Sequence, residues 1–347
     1  MITTAAAAAE YLVVDRYLES LVGARALKTA FETGLVDLLV QRRSAPLHLV
    51  ERATGTDPQG LGFLLDLLES AGVVERALGD VRLAPAFAGA LRFRDLLEVK
   101  LDYAGYLLDD FADHFTTLIR EPQRFAGQAR LFELFDYRRA LQASPENYAR
   151  TRAWMRLTSA LTRHEARAAL VVADLAAHRR LLDVGGNSGE FSLQACKRHP
   201  GLQATVFDLP LVCEIGLEHV LVEPEAPRIA FRSGDLRADP LPPGHDIVVF
   251  KSMLHDWPLA EAEAFLAKAA QALAPGGTLL IFERSAIDVR RGLPRFADLP
   301  LLLFFRSYRG PDAYVAALQK LGLREIEVRT VELDSPFLLL TARKPRP

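Results

Sequence analysis

Cysteine is scarce in this 347-residue chain, which carries only Cys196 and Cys213. Two cysteines make no disulfide framework, so a reducing compartment is expected. The chain also has neither a C-x-x-C nor an H-E-x-x-H spacing, and no metal site is expected. It has no excess charge of one sign, with 42 Lys and Arg against 44 Asp and Glu, a formal net charge of −2. General binding to a phosphate backbone needs clustered cations, so nucleic acid is not an expected partner. A membrane-spanning helix needs about 20 apolar residues, and no such run is present. The start, Met1 to Glu10, holds an alanine run without a basic lead, so neither a signal peptide nor a membrane partner is expected, and the location read from this is cytoplasmic. The length is enough for about two domains, and a hydrophobic content of 50% supplies ample core.

The most informative stretch runs from Leu181 to Gly189. Apolar residues lead into Asp183-Val184-Gly185-Gly186-Asn187-Ser188-Gly189, and a helical pattern follows from Glu190 to His199. This reads as a buried strand feeding a helix through a turn with few side chains. The free N–H groups of a helix start favour an anionic ligand, and the glycines permit close approach. Gln203 to Asp208 reads as a second strand ending in a carboxylate, placed to accept from ribose hydroxyls. A helix-capping role for Asp208 before Leu209-Pro210 is the alternative. Strands follow at Arg228–Gly234, Asp246–Phe250 and Gly277–Phe282. Asp235, Lys251 and Glu283 stand at their exits. Ligands of open α/β sheets sit outside the carboxyl ends of the strands, so Gly185, Asp208, Asp235, Lys251 and Glu283 are expected along one edge. The glycine spacing is not G-x-G-x-x-G, and this favours a nucleoside-type cofactor other than NAD.

Five segments occur in order: Asp183 to Gly189, Phe207-Asp208-Leu209-Pro210, Gly234-Asp235, Lys251-Ser252-Met253-Leu254-His255-Asp256-Trp257, and Ala274-Pro275-Gly276-Gly277. Together they resemble the S-adenosylmethionine-dependent O-methyltransferases of the plant caffeate/flavonoid and bacterial natural-product type. The resemblance implies an α/β fold: a seven-stranded Rossmann-like methyltransferase sheet with an N-terminal, mostly α-helical winged-helix dimerisation domain. It implies S-adenosylmethionine as cofactor and S-adenosylhomocysteine as product. Gly185 then faces the methionine part, Asp208 the ribose, and Asp235 with Leu236 the adenine, with Lys251 nearby. Asp183, Gly186 and Leu209 complete the expected cofactor set. His255 is the expected general base. A phenol releases its proton only near pH 10, and an imidazole can take that proton as transfer proceeds. Glu283 matches a carboxylate that orients this histidine. A second family carboxylate is expected between Arg306 and Gly310, and Tyr308 stands in its place. That departure leaves carbon or nitrogen methylation open, or a non-methylating reaction with the same cofactor, beside transfer to oxygen of a small aromatic or polyketide-like acceptor.

In the N-terminal half, apolar residues recur at helical spacing from Tyr11 to about Val40, with a break at Gly34. Leu47 to Ala53 reads as a short helix. Asp57 and Pro58 start another that ends at Gly72. Val73 to Arg76 and Val81 to Leu83 flank Gly79-Asp80 as a small hairpin. Helix, helix, hairpin is a winged-helix pattern, which raises a DNA-binding regulator as a rival. The would-be recognition helix holds Asp57, Asp66 and Glu69 and no cation, which argues against it. The resemblance makes this domain a homodimerisation element. An aromatic-rich helical connector follows, including Tyr137, Tyr148 and Trp154. In the family such a segment covers the acceptor site, and Trp154, Met155, Ser159 and Tyr308 are the expected acceptor contacts. Leu323 to Val331 and Ser335 to Arg343 read as two closing strands. The expected division is 1–92 for dimerisation, 93–163 for the connector and 164–347 for cofactor binding.

Overall fold

The structure is a computed structural model that describes residues 3–5, 9–286 and 307–346. The described residues form two compact units, one holding residues 10–133 and the other the rest. The expected domains are a functional division. The units are a division by packing, and the boundary between them along the chain, after Glu133, falls within the expected connector.

The smaller unit opens with a 3-10 segment, Glu10–Leu18, and continues through α1 (Leu21–Glu32), α2 (Leu35–Arg42), β2 (Ser44–Pro46), α3 (Leu47–Thr54) and α4 (Pro58–Ser70). The helical stretch before Val40 is broken twice. Gly34 provides the expected break, with φ +76 at the start of α2. The other break is at Ser20, whose hydroxyl accepts from the Gly23 N–H and caps α1. Asp57 caps α4 in the same way, accepting from Gln59 and Gly60. The hairpin forms as β3 (Val74–Ala77) and β4 (Asp80–Leu83), and β2 adds a third antiparallel strand on the far side of β4. The three alternate along the sheet in the order β2-β4-β3. After α5 (Pro85–Ala90), a long α6 (Arg94–Arg120) packs on α1, and α7 (Pro122–Ala126) follows it.

The larger unit is a doubly wound sheet. Its parallel strands are β5 (Arg180–Val184), β6 (Gln203–Asp208), β7 (Ile229–Ser233), β8 (His245–Lys251) and β9 (Leu273–Arg284). A closing hairpin, β10 (Arg324–Glu332) and β11 (Pro336–Arg343), is antiparallel, and β11 runs antiparallel to β9. With a short β1 (Thr3–Ala5) at one edge, the order is β1-β10-β11-β9-β8-β5-β6-β7. Seven strands are as expected. An eighth, β1 (Thr3–Ala5), adds itself in parallel to β10 at the edge and had no legible pattern in the sequence. Neighbours of β5 run away from it in both directions, β6 on one side and β8 on the other, which is the switch point where such sheets hold ligands.

Alternation sets the two faces. Leu182, Val184, Val248, Phe250, Leu279, Ile281, Leu338 and Leu340 pack under α11 (Leu259–Ala272) and α12 (Pro311–Lys320), through Phe265, Leu266, Tyr314 and Leu318. All are nearly or fully buried. The opposite face receives α8 (Pro145–Val172), α9 (Glu190–Arg198) and α10 (Pro210–Leu221). Burying one Leu or Phe side chain contributes about 1.5–3 kcal/mol, so this two-faced core fixes the strand register that aligns the strand exits.

Candidate active site

The glycine turn is built so that backbone, not side chains, lines it. Gly185 has φ +66, and a Cβ there would stand 2.7 Å from Met253 Cγ. A Cβ at Gly186 would stand 2.6 Å from Asp183 Cγ and 2.9 Å from Val206 Cγ1. Both positions therefore demand glycine, one for its φ and both for space. Asn187 follows in the left-handed region at φ 54, which Asn tolerates better than most residues. Its N–H donates to Asp208 Oδ2 at 2.8 Å, and its side-chain oxygen accepts from Ser188 N at 2.8 Å. The turn leads into α9 with Glu190 at its start.

Two carboxylates sit beneath this turn. Asp183 is buried and accepts from the Ser192 hydroxyl of α9 at 2.8 Å. Burial pushes its pKa up to about 6 against the opposing hydrogen bond. Asp208 accepts from Asn187 N and Leu209 N, and burial pushes it, too, up to about 6. A carboxylate offers about four lone-pair sites, so Asp208 keeps two for further donors. A turn that admits no Cβ, a helix N-terminus of nine residues and a strand-end acid with spare acceptors fit a nucleoside whose amino-acid end lies on the turn and whose ribose lies at β6.

The other expected cofactor residues are less open. Asp235 is bonded to Arg237 by both oxygens at 2.7–3.2 Å, and the guanidinium holds its carboxyl below the usual range. The Leu236 carbonyl accepts from Lys268 Nζ at 2.6 Å. Lys251, at the end of β8, donates to Thr162 Oγ1 at 2.9 Å and pairs with buried Glu165.

The loop after β8 presents the imidazole. Ser252 adopts φ 49, which costs a non-glycine residue roughly 1 kcal/mol or more. The surroundings enforce it. Glu283, with no exposed surface at the end of β9, accepts from Met253 N and Leu254 N through Oε1, each at 2.7 Å. Its other oxygen meets His255 Nδ1 at 2.6 Å. From the far side, Arg309 donates to the Leu254 carbonyl at 2.8 Å and to that of Trp257. His255 Nε2 lies 3.3 Å from Asp256 Oδ1, and Asp256 Oδ2 accepts from the Tyr137 hydroxyl at 2.7 Å. The Tyr308 ring stands edge-on to the imidazole, with centroids 5.1 Å apart. Burial alone would lower the pKa of His255, but the carboxylates of Asp256 and Glu283 outweigh it and raise it above its ordinary value.

The connector residues divide. Trp154 and Met155, on α8, pack against Leu211, Val212 and Ile215 of α10. The Trp154 ring also lies 5.3 Å from that of Tyr137, which stacks in turn on Trp257 at 6.4 Å. Ser159 Oγ is 2.6 Å from both Met155 O and Ser188 Oγ. A hydroxyl has one proton, so Ser159 donates to the carbonyl and accepts from Ser188. Ser159 is thereby tied to the glycine turn. Tyr137, Asp256 and Trp257 were absent from the expected site set. The signal for the last two was present in the His-Asp-Trp triplet, and Tyr137 was legible only as one aromatic among many.

The O-methyltransferase domain family matches residues 126–302, about half of the chain. The chain is 30% identical over 338 residues to the tetracenomycin polyketide synthesis 8-O-methyl transferase TcmO of Streptomyces glaucescens, covering 93% of this chain and 94% of that protein. This chain belongs to the O-methyltransferase family. It is an S-adenosylmethionine-dependent methyltransferase, of the kind found in bacterial natural-product biosynthesis. A 3-hydroxy-5-methyl-1-naphthoate 3-O-methyltransferase of Streptomyces sahachiroi is 38% identical over 167 residues, which span 47% of this chain and 48% of that protein. An N,N-dimethyltransferase, OxyT of Streptomyces rimosus, is 27% identical over 93% of both chains. Among solved structures, human N-acetylserotonin methyltransferase in complex with S-adenosylmethionine superposes with a TM-score of 0.74 at 24% identity, covering 97% of this chain and 98% of that one. The likeness at that identity is one of fold.

Proposed function

We propose that this methyltransferase acts on a hydroxyl of a small aromatic or polyketide-like acceptor, with His255 as general base. The reading is supported by the two Streptomyces relatives that methylate oxygen on such molecules. The observation that carries it is the 2.6 Å contact between Glu283 and His255 Nδ1. An ionised carboxylate only accepts, so Nδ1 holds a proton and the lone pair of the neutral ring is on Nε2. Nε2 then takes the acceptor proton, while Glu283 at Nδ1 and Asp256, 3.3 Å from Nε2, stabilise the imidazolium that forms. Bound S-adenosylmethionine supplies an electrophilic methyl group. The protein's own work is to place the acceptor oxygen and remove its proton, and orientation alone can contribute roughly 7–11 kcal/mol. Gly185 and Gly186 receive the methionine end, Asp208 the ribose, and Asp235 with Leu236 the adenine, with Asp183, Leu209 and Lys251 around them. Trp154, Met155, Ser159 and Tyr308 form the expected acceptor surroundings.

Incubation with methyl-labelled S-adenosylmethionine and a panel of hydroxylated naphthoates and anthraquinones tests this. The expected result is an O-methyl product of one methylene added mass, together with S-adenosylhomocysteine. A second reading, N-methylation or a reaction without transfer, is favoured by Tyr308 at the position of a family carboxylate. It predicts amine products, or product without S-adenosylhomocysteine, from the same assay. The N-terminal unit would join two copies of the chain, since Leu21, Val22, Val40, Leu47 and Phe63 leave apolar surface exposed on it. Sedimentation at micromolar concentration should return twice the 38.4 kDa chain mass.

A further inference from the structure

The sequence has no carboxylate between Arg306 and Gly310, yet the imidazole does have two acids on it. Asp256 is the second, and it meets Nε2, the nitrogen opposite Glu283. A carboxylate next to solvent turns freely about its Cβ–Cγ bond. This one is held, because Tyr137 donates to Oδ2 and leaves Oδ1 toward the ring. The phenol is itself held. Its ring lies between Trp154 and Trp257, with interplanar angles of 58° and 28°, so the hydroxyl cannot swing away without breaking both ring contacts. Two links thus run from a 3-10 segment, Tyr137–Leu141, to the imidazole, one from Tyr137 to Asp256 and one from Asp256 to Nε2.

We propose that Tyr137 is a positioning residue that acts through Asp256 to orient and charge the His255 imidazole. The proposal rests on His255 as general base. Glu283 faces Nδ1 from β9, Asp256 faces Nε2 from the same loop, Tyr308 covers one side, and Arg284 opposes the acids from the next position of β9. Asp256 feels His255, Tyr137 and Glu283. Tyr137 feels Asp256, Asp208 and Arg139, and burial with the Asp256 charge keeps it protonated as a donor far beyond neutral pH. Arg309 fixes the loop carbonyls on either side of the His255–Asp256 pair. Loss of the phenol hydroxyl frees Asp256 to turn toward water, which weakens its hold on Nε2.

Tyr137→Phe tests this, because it keeps the ring contacts and removes only the donor. Nuclear magnetic resonance titration of the His255 ring nitrogens in the whole protein, with S-adenosylhomocysteine present, reads the effect directly. The expected result is a fall in the His255 pKa of about half a unit or more, as for a weakened nearby charge. Asp256→Asn should give a fall at least as large, and the double variant no more than the larger single fall, since both act through one link. With an acceptor in hand, Tyr137→Phe should lower kcat by roughly 10- to 100-fold with little change in KM. An unchanged His255 pKa in Tyr137→Phe overturns the proposal, as do falls that add in the double variant. The titration needs no methyl transfer. If no acceptor is ever methylated while the His255 pKa falls as stated, the functional reading fails and the positioning role stands.

Discussion

Glu283 and Arg284 are neighbours on β9, and the pleat sends them to opposite faces. Both are buried, and their surroundings differ in kind. Arg284 pairs with Glu165 and Asp334 and donates to the Ser335 hydroxyl. Glu165 in turn receives Lys251. Two cations and two anions close on one another, so the cluster ties α8 to the ends of β8 and β9 and to the β10–β11 turn. Glu283 has two backbone N–H groups and one imidazole. Among the described residues, its one hydrogen-bond partner that can carry charge is an imidazole, a group that can gain and lose a proton. A buried ion whose charge is fully matched by fixed charges serves position. A buried ion matched by a titratable ring remains open to chemistry. Lys251, at a strand exit where a ligand contact is expected, shares the hydrogen bonds of the first kind.

The largest expected effect breaks the Glu283 side. His255→Ala should lower turnover by roughly 10²–10⁴-fold and leave S-adenosylhomocysteine affinity within about threefold, as read by calorimetry. Full turnover on the true acceptor would sink the general-base role. The next breaks the Arg284 side. Arg284→Met leaves Glu165 and Asp334 buried without their cation and should cost about 3–5 kcal/mol in chemical denaturation. Glu283→Gln should cost much less stability yet still slow turnover. Equal stability losses in the two variants would erase the distinction drawn here. Smaller still, Gly186→Ala should cost about 1–3 kcal/mol through contact with Asp183 and Val206, with weakened cofactor binding.

The strand, glycine turn and strand around Asp183 to Asp208 were largely legible in the sequence, and the reason is chemical economy. A strand, a Cβ-free turn and a strand-end acid follow within about 30 residues, and each is marked by a residue type that few other sites require. Gln203 to Asp208 is read and observed with the same bounds. The histidine edge was legible only in part. His255 and Glu283 lie 28 positions apart, yet one at a loop and one at a strand exit could be matched by the resemblance. Asp256 was quoted within its triplet and still went unassigned, because its side chain is held by Tyr137, which is 119 positions away on a 3-10 segment. No periodicity marks a residue whose partner is set by tertiary packing. The edge strand Thr3–Ala5 escaped for the same reason, since three residues are too few to show alternation.

The smallest shift concerns pH, and it probes the comparison most finely because it perturbs no atom but a proton. His255 must be neutral to act as base. Burial lowers its pKa, and Asp256 and Glu283 raise it by more, so the free ring holds its proton above the ordinary value of about 6.5. The rate should therefore climb as pH rises through a midpoint above about 6.5 and then level off. If Asp208 receives the ribose as proposed, it would give a confounding limb, because burial pushes its carboxyl up to about 6. Asp183 is pushed up to about 6 as well, so kcat/KM for the acceptor is to be read at saturating S-adenosylmethionine, where in the proposed complex both carboxyls are covered, and the Glu283→Gln comparison then isolates the His255 midpoint. Glu283→Gln, which removes one of the two acids and keeps the size of the side chain, should move the midpoint to lower pH. A midpoint at or below 6.5 in the native enzyme, or one that Glu283→Gln leaves in place, would mean that the buried acid of β9 holds the loop and does not charge the ring. Glu283 would then be no different in kind from the matched ions one residue further along the strand.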